Sequence, residues 1–201
     1  MWMERWETIY ETQPDLVEIV TWNDYAESSY IGPQAPMIYS SECPPATNYS
    51  HDAYLELTRY FSTRWKTGAY PVIGREKLFI FYRTHSKNAV PMADPYNPNP
   101  VNNSQVIDDM LYVATMLYTS AMLTMNSGSN TSTVRAPTGF SIFSLGQDQG
   151  LQSAVLKRNG DVILSVVGDL PFSNHIVYRN FNVYSKFVQA DQCVLAANTA
   201  T

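Results

Sequence analysis

The sequence has little basic charge, few cysteines and no long apolar run. Its 201 residues include 13 Lys and Arg against 18 Asp and Glu, so the net charge is -5 at pH 7. Because binding to nucleic acid phosphates requires clustered cations, this balance argues against a nucleic acid partner. Polar residues interrupt every stretch long enough to span a bilayer, which takes about 20 apolar residues, so we predict no membrane insertion.

The motifs of most cofactor sites are also missing. Cys43 and Cys193 are the two cysteines. They either form one disulfide or remain two thiols, and neither stands in a metal-type spacing such as Cys-x-x-Cys. The sequence has no glycine-rich phosphate loop, no Ser or Cys nucleophile motif, and no cluster of His, Cys and carboxylates. We therefore predict no metal and no other cofactor.

The signals for secretion are mixed. The amino terminus lacks the run of about 7 to 15 apolar residues that a secretory signal needs. Sequons for N-glycosylation at Asn48, Asn102 and Asn130 nevertheless suit a secreted protein, although a chain rich in Asn, Ser and Thr also produces such triplets by chance. Either the protein is not secreted or its natural start lies further upstream.

The first half of the sequence alternates helical and strand-like patterns. Helical spacing at residues 6–12 stops at Gln13 and Pro14, and the apolar run LVEIVTW at residues 16–22 is typical of a buried parallel strand. A helix is then predicted from the N-cap Ser50 to the stop at Gly68. The run LFIFY at residues 78–82 is typical of a second buried strand. This order predicts βα units with parallel strands, and open strand edges imply further strands before Met1.

The second half alternates with the period of a strand. The proline-rich connector at residues 94–100 comes first, and apolar residues then alternate at 111–117, 140–144 and 162–166. Asn159-Gly160 predicts a tight hairpin, because both residues tolerate positive φ angles. We expect a boundary near Ser104, with an α/β unit over residues 1–104 and an antiparallel β-sandwich over 105–201.

Two carboxylates follow the first predicted strand. Asp24 and Glu27 are three residues apart, so a tight turn could bring both to one cavity. Glycoside hydrolysis requires such a pair, separated by about 6.5 to 9.5 Å in inverting enzymes and about 5 to 5.5 Å in retaining ones. The alternative is ordinary turn chemistry, in which Asn-Asp shapes the chain and Glu27 is a solvated loop residue.

A longer resemblance favours the catalytic interpretation. Residues 16–33, LVEIVTWNDYAESSYIGP, resemble the WNDYGESHYIGP signature of glycoside hydrolase family 71, the fungal α-1,3-glucanases or mutanases. The similarity continues through SHDAYL at residues 50–55 and FYRTH at 81–85, and it covers nearly the whole chain. It implies that residues 1–104 are the carboxyl-terminal part of a (β/α)8 barrel and that residues 105–201 are the β domain of that family.

The resemblance also assigns roles. It implies an inverting hydrolysis of α-1,3-glucan without a cofactor, with Glu27 as general acid and Asp24 as general base. Ala26 stands where the signature has Gly, and Ser29 stands where it has His. The first exchange affects a turn that could need a positive φ angle, and the second removes a possible sugar contact, so altered affinity is expected.

Further residues near these motifs are candidates for contact with substrate. They are Trp22, Asn23, Tyr25, His51, Asp52, Tyr82, Arg83 and His85. Trp22, Tyr25 and also Tyr30 either stack on sugar rings or pack in the core. His51 and Asp52 either contact substrate or are only first-turn residues of a helix, and Arg83 and His85 either face the site or serve a structural ion pair.

The resemblance implies a monomeric glucan endo-1,3-alpha-glucosidase that is secreted or bound to the cell wall and acts on α-1,3-glucan. Because an isolated carboxylate pair loses its positioning without the rest of the barrel, we expect little or no activity from this chain alone. The alternative is a non-catalytic remnant, a β-sandwich that binds glycan or has a structural role.

Overall fold

The computed structural model describes residues 2–25, 27–33, 48–93 and 103–191. Within these ranges the regular structure consists of two α-helices, eight β-strands and one short 3-10 helix at Ser104–Val106. In chain order they are α1 (Trp2–Thr12), α2 (Asp52–Thr67), β1 (Lys77–Tyr82), β2 (Met110–Leu117), β3 (Ala121–Ser127), β4 (Asn130–Ala136), β5 (Gly139–Gly146), β6 (Gln152–Arg158), β7 (Asp161–Val167) and β8 (Tyr184–Gln189).

The strands form two four-stranded sheets. The first sheet has the order β5-β2-β1-β8 and the second has the order β4-β3-β6-β7, and all the described strand pairs are antiparallel. A common core lies between the sheets, in which Leu78 and Ile80 of β1 join Leu123 of β3 and Leu156 of β6. The prediction of a β-rich part built from antiparallel sheets is therefore confirmed.

The two helices cover the outer face of the first sheet. Phe79 of β1 and Met116 of β2 share a second apolar cluster with Leu57 and Phe61 of α2 and with Trp6 of α1. The order of layers is thus helices, first sheet, second sheet. Strand β1 is buried on both faces, which is why its apolar run is uninterrupted.

The predicted parallel pairing of residues 78–82 is wrong. Strand β1 pairs antiparallel with both β2 and β8. An antiparallel strand covered on one face by helices and on the other by a second sheet requires the same continuous apolar run as a parallel strand. Residues from both sides of the expected boundary at Ser104 belong to this sheet. The division of the chain at Ser104 itself stays a prediction.

The predicted strand at residues 16–22 is also wrong. This segment forms neither helix nor strand, and Leu16 is 81% exposed and Val20 65% exposed. A β-branched apolar run becomes a strand only when a neighbouring strand satisfies its backbone groups, and none of the described residues pairs with residues 16–20 in this way. The barrel implied by the resemblance is therefore not visible in the described residues.

The predicted helix ends are confirmed to within one residue. Helix α1 ends at Thr12, and α2 ends before Gly68, whose φ of 77° allows its N–H to donate to Arg64 O at 2.8 Å. The start of α2 is one residue later than expected. His51 occupies the N-cap position, while Ser50 Oγ accepts the Asp52 amide at 3.2 Å.

The predicted hairpin between β6 and β7 is confirmed. Asn159 has a φ of 54° and Gly160 a φ of 94°, the positive values that a tight turn of this type requires. The connector at residues 94–100, both cysteines, Ala26 and Asn102 lie outside the described residues. The helices within the described ranges are too short or too polar to cross a bilayer.

Candidate active site

Residues 21–25 and 27–32 fold into a compact turn, here called the carboxylate turn. The Thr21 N–H donates to Ser29 O at 3.0 Å, and the Ile31 N–H donates to Thr21 O at 3.0 Å. The Gly32 N–H donates to Trp22 O at 2.9 Å. These bonds join the outgoing and returning arms of the turn like a short antiparallel ladder. Its shape is therefore determined largely by contacts among neighbouring residues.

Asp24 and Glu27 lie at the tip of the carboxylate turn. The Asp24 amide donates to Thr21 Oγ1 at 2.9 Å, and Asp24 Oδ1 accepts the Glu27 amide at 3.2 Å. Asp24 is half-buried, whereas Glu27 and the neighbouring Asn23 are exposed. Asp24 makes the local bond expected of an aspartate in a turn. Among the described residues nothing buries the Glu27 side chain, so this side of the tip is accessible to a ligand.

The aromatic side chains of the turn have two different environments. Trp22 is 58% exposed, and its indole packs so closely over Gly32 that a Cβ there would lie 2.8 Å from indole carbons. The Tyr25 hydroxyl donates to Pro33 O at 3.1 Å, and its ring contacts Tyr30 at 4.8 Å. Tyr30 is only 1% exposed. Trp22 thus presents an exposed flat face, while Tyr30 packs inside.

His51 lies beneath the carboxylate turn. Its Nδ1 is 2.6 Å from Tyr30 O and its Nε2 is 2.9 Å from Val183 O, while its ring stacks on Tyr30 at 3.8 Å. Burial lowers the pKa of His51, whereas the two carbonyls and the nearby Asp52 favour the charged form. Both ring nitrogens are occupied by main-chain groups. Asp52 is exposed at the start of α2.

Arg83 and His85 follow the end of β1 and bind main-chain groups. Arg83 Nε donates to Phe181 O at 3.2 Å. His85 Nε2 accepts the Asn180 N–H at 2.8 Å, so the ring proton belongs on Nδ1, which donates to Ser86 O at 3.0 Å. Burial lowers the pKa of His85. The neutral ring is therefore the form that these contacts require.

Tyr82 points into the core between the two sheets. It is 2% exposed, its hydroxyl donates to Leu170 O at 2.6 Å, and its ring contacts Tyr184 at 4.9 Å. Burial raises its pKa. A side chain held in this way does not reach the carboxylate turn.

One segment connects three of the residues that the sequence singled out. Residues 180–183, which precede β8, provide the main-chain partners of His51, Arg83 and His85. The structure therefore brings these side chains together at one stretch of backbone. Residues 180–183 could not be recognised as partners from the sequence, because nearly every residue carries a main-chain carbonyl and amide group.

Two cavities adjoin these residues. One of about 390 Å³ lies against α1, α2 and the first sheet, and its lining includes Trp2, Tyr54, Phe81, Arg83 and Tyr112. The other, of about 640 Å³, includes Asn48, Asp52, Asp169 and Lys186. Arg83 and Asp52 thus line different cavities. In the described part of the chain, no group of three or more His, Cys, Asp and Glu side chains is placed to hold a metal ion.

Comparison with known proteins gives the chain a family context. The model of glycosyl hydrolase family 71 matches residues 1–198. A protein named mutanase from Penicillium rubens is 36% identical over 183 residues, which is 90% of this chain and 41% of the relative. A glucan endo-1,3-alpha-glucosidase of Schizosaccharomyces pombe is 29% identical over 185 residues, 91% of this chain and 43% of the relative.

A third relative, an ascus wall endo-1,3-alpha-glucanase of the same yeast, is 35% identical over 118 residues, 53% of this chain and 27% of the relative. The chain spans less than half the length of these curated relatives. No solved structure is significantly similar to it. Because the family model extends over almost all of the sequence, the chain belongs to glycosyl hydrolase family 71.

Proposed function

We propose that this chain carries the acid and base carboxylates of an enzyme that hydrolyses α-1,3-glucan. The carboxylate turn is the observation that supports this most, since Asp24 and Glu27 lie at an open tip whose backbone is fixed by hydrogen bonds. The exposed indole of Trp22 lies in the same turn. The relatives named mutanase and endo-1,3-alpha-glucanase indicate the bond that would be cleaved.

The proposed reaction uses one carboxyl in each protonation state. Glu27 donates its proton to the glycosidic oxygen as the bond from that oxygen to the anomeric carbon breaks. Ionised Asp24 accepts a proton from water, and the water oxygen forms the new bond to the anomeric carbon from the opposite face. The configuration inverts, and α-glucan releases a β-anomer. This requires about 6.5 to 9.5 Å between the two carboxyl groups.

In this proposal the predicted contact residues divide into two groups. Trp22, Asn23 and Tyr25 belong to the turn, and with Asp52 they are the candidates for direct sugar contact. The remaining four, His51, Tyr82, Arg83 and His85, bind main-chain groups, and of these His51 bonds to the turn through Tyr30 O. The first group should therefore affect substrate affinity, and His51 should affect the geometry of the turn.

The relatives are more than twice as long as the part of them that this chain matches. We propose that the part of the relatives not covered by this chain supplies most of a (β/α)8 barrel, and that residues 1–104 contribute its final portion apart from β1, which belongs to the antiparallel first sheet. The chain alone would then have little activity, because its carboxylates lack the surrounding walls. The proposed enzyme needs no cofactor, acts as a monomer and is secreted or bound to the cell wall. Exposed Asn48 and Asn130 fit that location.

A chimera provides the test. This chain replaces the matching 41% of the Penicillium mutanase, and the release of reducing sugar from insoluble α-1,3-glucan is measured. Asp24→Asn and Glu27→Gln should each lower kcat by at least about a hundredfold. Glu27→Gln should recover on a substrate with an aryl leaving group, which needs no acid, whereas Asp24→Asn should not. NMR should show the β-anomer first.

Undiminished activity in both variants would overturn the assignment of the pair, and release of the α-anomer would overturn inversion. Recovery of Asp24→Asn instead of Glu27→Gln would exchange the two roles. Glu18→Gln is a suitable control because Glu18 is an exposed carboxylate outside the turn.

A second candidate function is a glycan-binding module without catalysis. Four of the candidate contact residues bind main-chain groups with their side chains, which leaves fewer groups around the carboxylates to act on a substrate. The β-sandwich also has a core of its own, as a binding module requires. Co-sedimentation of the chain with insoluble α-1,3-glucan tests it. Binding that persists while the chimera remains inactive would favour the module, and binding lost in Trp22→Ala would locate the contact.

A further inference from the structure

The carboxylate turn contains no helix or strand, and its position depends on what holds its returning arm. Tyr30 lies on that arm, opposite Thr21 in the ladder. The Tyr30 hydroxyl donates to Tyr49 O, its ring is buried, and its carbonyl faces His51 Nδ1 at 2.6 Å. The rings of Tyr30 and His51 are nearly parallel, with an interplanar angle of 4°. His51 therefore contacts the turn through both its ring face and its edge.

The other edge of His51 reaches the β-sandwich. Its Nε2 is 2.9 Å from the carbonyl of Val183, the residue that precedes β8. Beside this contact, Ser185 Oγ of β8 donates to Ser50 O at 2.6 Å, so the chain around His51 is bonded both to β8 and to the residue just before it. One imidazole ring thus spans the distance between the carboxylate turn and the first sheet.

We propose that His51 is a positioning residue, which fixes the carboxylate turn to β8 and so determines where Asp24 and Glu27 are held. The catalytic meaning of this link rests on the proposed function, whereas the link itself does not. His51 is 2% exposed and both its ring nitrogens face carbonyl oxygens. It acts on the site through Tyr30 and touches no substrate.

The chemistry of the two bonds suggests a pair of substitutions that separates them. A carbonyl oxygen only accepts, so each nitrogen that bonds to one must carry a proton, and the ring donates to both carbonyls at once only in its protonated form. An Asn side chain places its amide near the position of Nδ1, and a Gln side chain places its amide near that of Nε2. His51→Asn should keep the donor to Tyr30 O, while His51→Gln should keep the donor to Val183 O.

Amide hydrogen exchange of the purified chain, followed by NMR, is the measurement. In His51→Gln the Ile31 and Gly32 amides, which close the turn, should exchange about tenfold faster, the effect of losing one hydrogen bond. In His51→Asn they should keep their protection, while amides at the start of β8 exchange faster. Tyr30→Leu removes the stacked ring but keeps the carbonyl, and it should open the turn by a smaller factor.

His85→Gln is the matched control. His85 is also buried and also bonds to residues 180–183, but its partners are Asn180 and Ser86 rather than the turn. It should leave the Ile31 and Gly32 amides unchanged. The proposal is overturned if His51→Gln does not accelerate these two amides, or if all three His variants accelerate them equally.

The active chimera separates this proposal from the proposed function. His51→Gln should lower kcat by about tenfold with little change in KM, because it displaces the carboxylates without removing a sugar contact. His51→Asn should restore most of the rate. If Asp24→Asn and Glu27→Gln leave the rate unchanged, the proposed function fails, but the exchange result still decides the role of His51.

Discussion

The carboxylate turn and the β-sandwich are stabilised in different ways. The turn is held by hydrogen bonds between residues at most ten positions apart, and its tip is exposed. The sandwich is held by long antiparallel ladders and by a core in which Leu78, Leu123 and Leu156 are completely buried. Local hydrogen bonds contribute little stability in water, whereas burial of apolar surface contributes most of it.

The difference indicates that neighbouring residues determine the conformation of the turn, whereas residues far along the chain determine its position relative to the sheets. Its own bonds give it a defined conformation, while its location relative to the sheets depends on a few long-range contacts, above all the contact of His51 with Val183. Changes in the core should therefore alter the stability of the whole chain. Changes in the turn should alter the local geometry at small cost in stability.

The largest expected effect is a cavity in the core of the sandwich. Leu156→Ala should lower the free energy of unfolding by about 2 to 5 kcal/mol, because a fully buried side chain loses its contacts and leaves a void. Urea denaturation followed by circular dichroism measures it. Val162→Ala on the neighbouring strand is the control, since Val162 is 56% exposed and its loss should cost less than about 0.5 kcal/mol. Similar losses in both variants would contradict a stability governed by burial.

The next effect concerns charges. Glu76 is 3% exposed, and its carboxylate accepts hydrogen bonds from both terminal guanidinium nitrogens of Arg158, at 2.6 and 3.1 Å. Glu76→Gln should cost about 2 to 3 kcal/mol, because Arg158 would lose its charged partner in a partly buried place. The exposed pair of Lys186 and Asp169 is the comparison, and Lys186→Gln should cost less than about 1 kcal/mol in the same denaturation assay. An equal cost for the two variants would show that burial of the pair is unimportant.

A smaller effect should appear as the pH falls. Because burial lowers the pKa of His85, the folded protein takes up its proton less readily than the unfolded chain does. The free energy of unfolding should therefore be constant at high pH and decrease as the pH falls below about 6.5, the ordinary pKa of His. Protonation of Nε2 also removes the acceptor of the Asn180 N–H.

Thermal denaturation of the wild type and of His85→Gln between pH 8 and pH 5 measures this dependence. The loss of stability towards low pH should be smaller in His85→Gln than in the wild type. A decrease in stability as the pH rises through this range would contradict the assignment for His85.

The smallest effect on stability should be the most local one. In Gly32→Ala the new Cβ would lie 2.6 Å from Trp22 O, so the indole and the arm that carries it must move. The indole N–H signal of Trp22 should shift in NMR spectra, while the free energy of unfolding changes by less than about 1 kcal/mol. Gly146→Ala is the control, because nothing lies within 4 Å of the Cβ position there. An unshifted Trp22 signal would contradict the close packing of indole and Gly32.

The sequence predicted those elements that depend on neighbouring residues. The end of α1 at Thr12, the left-handed Gly68 after α2 and the Asn159-Gly160 hairpin all follow from local backbone preferences. The pairing of β1 was predicted wrongly, because a run such as LFIFY reports burial on both faces but not the identity of the covering layers. Residues 16–22 were predicted wrongly for a related reason, since a strand requires a partner that composition does not reveal.

The candidate site shows the same division. The Asp24 bond to the Glu27 amide is the turn chemistry that Asn23-Asp24 indicates, and the two carboxylates remain predictions as catalytic groups. The location of His51 beneath Tyr30 could not be predicted, because its second partner is a carbonyl far along the chain. The residue type suggested that His51 contacts substrate. In the structure the ring is buried, and its two nitrogens bind main-chain carbonyls instead.

The contact between His51 and Val183 also has a consequence for synthesis on the ribosome. The two residues are 132 positions apart, and chains grow by about 5 to 20 residues per second. Val183 is therefore made roughly 7 to 26 seconds after His51. During that interval neither Val183 nor β8 exists, so the contact that links the carboxylate turn to the first sheet cannot form. The candidate catalytic residues are translated well before residues 180–183, and we expect their setting to be among the last features of this chain to form.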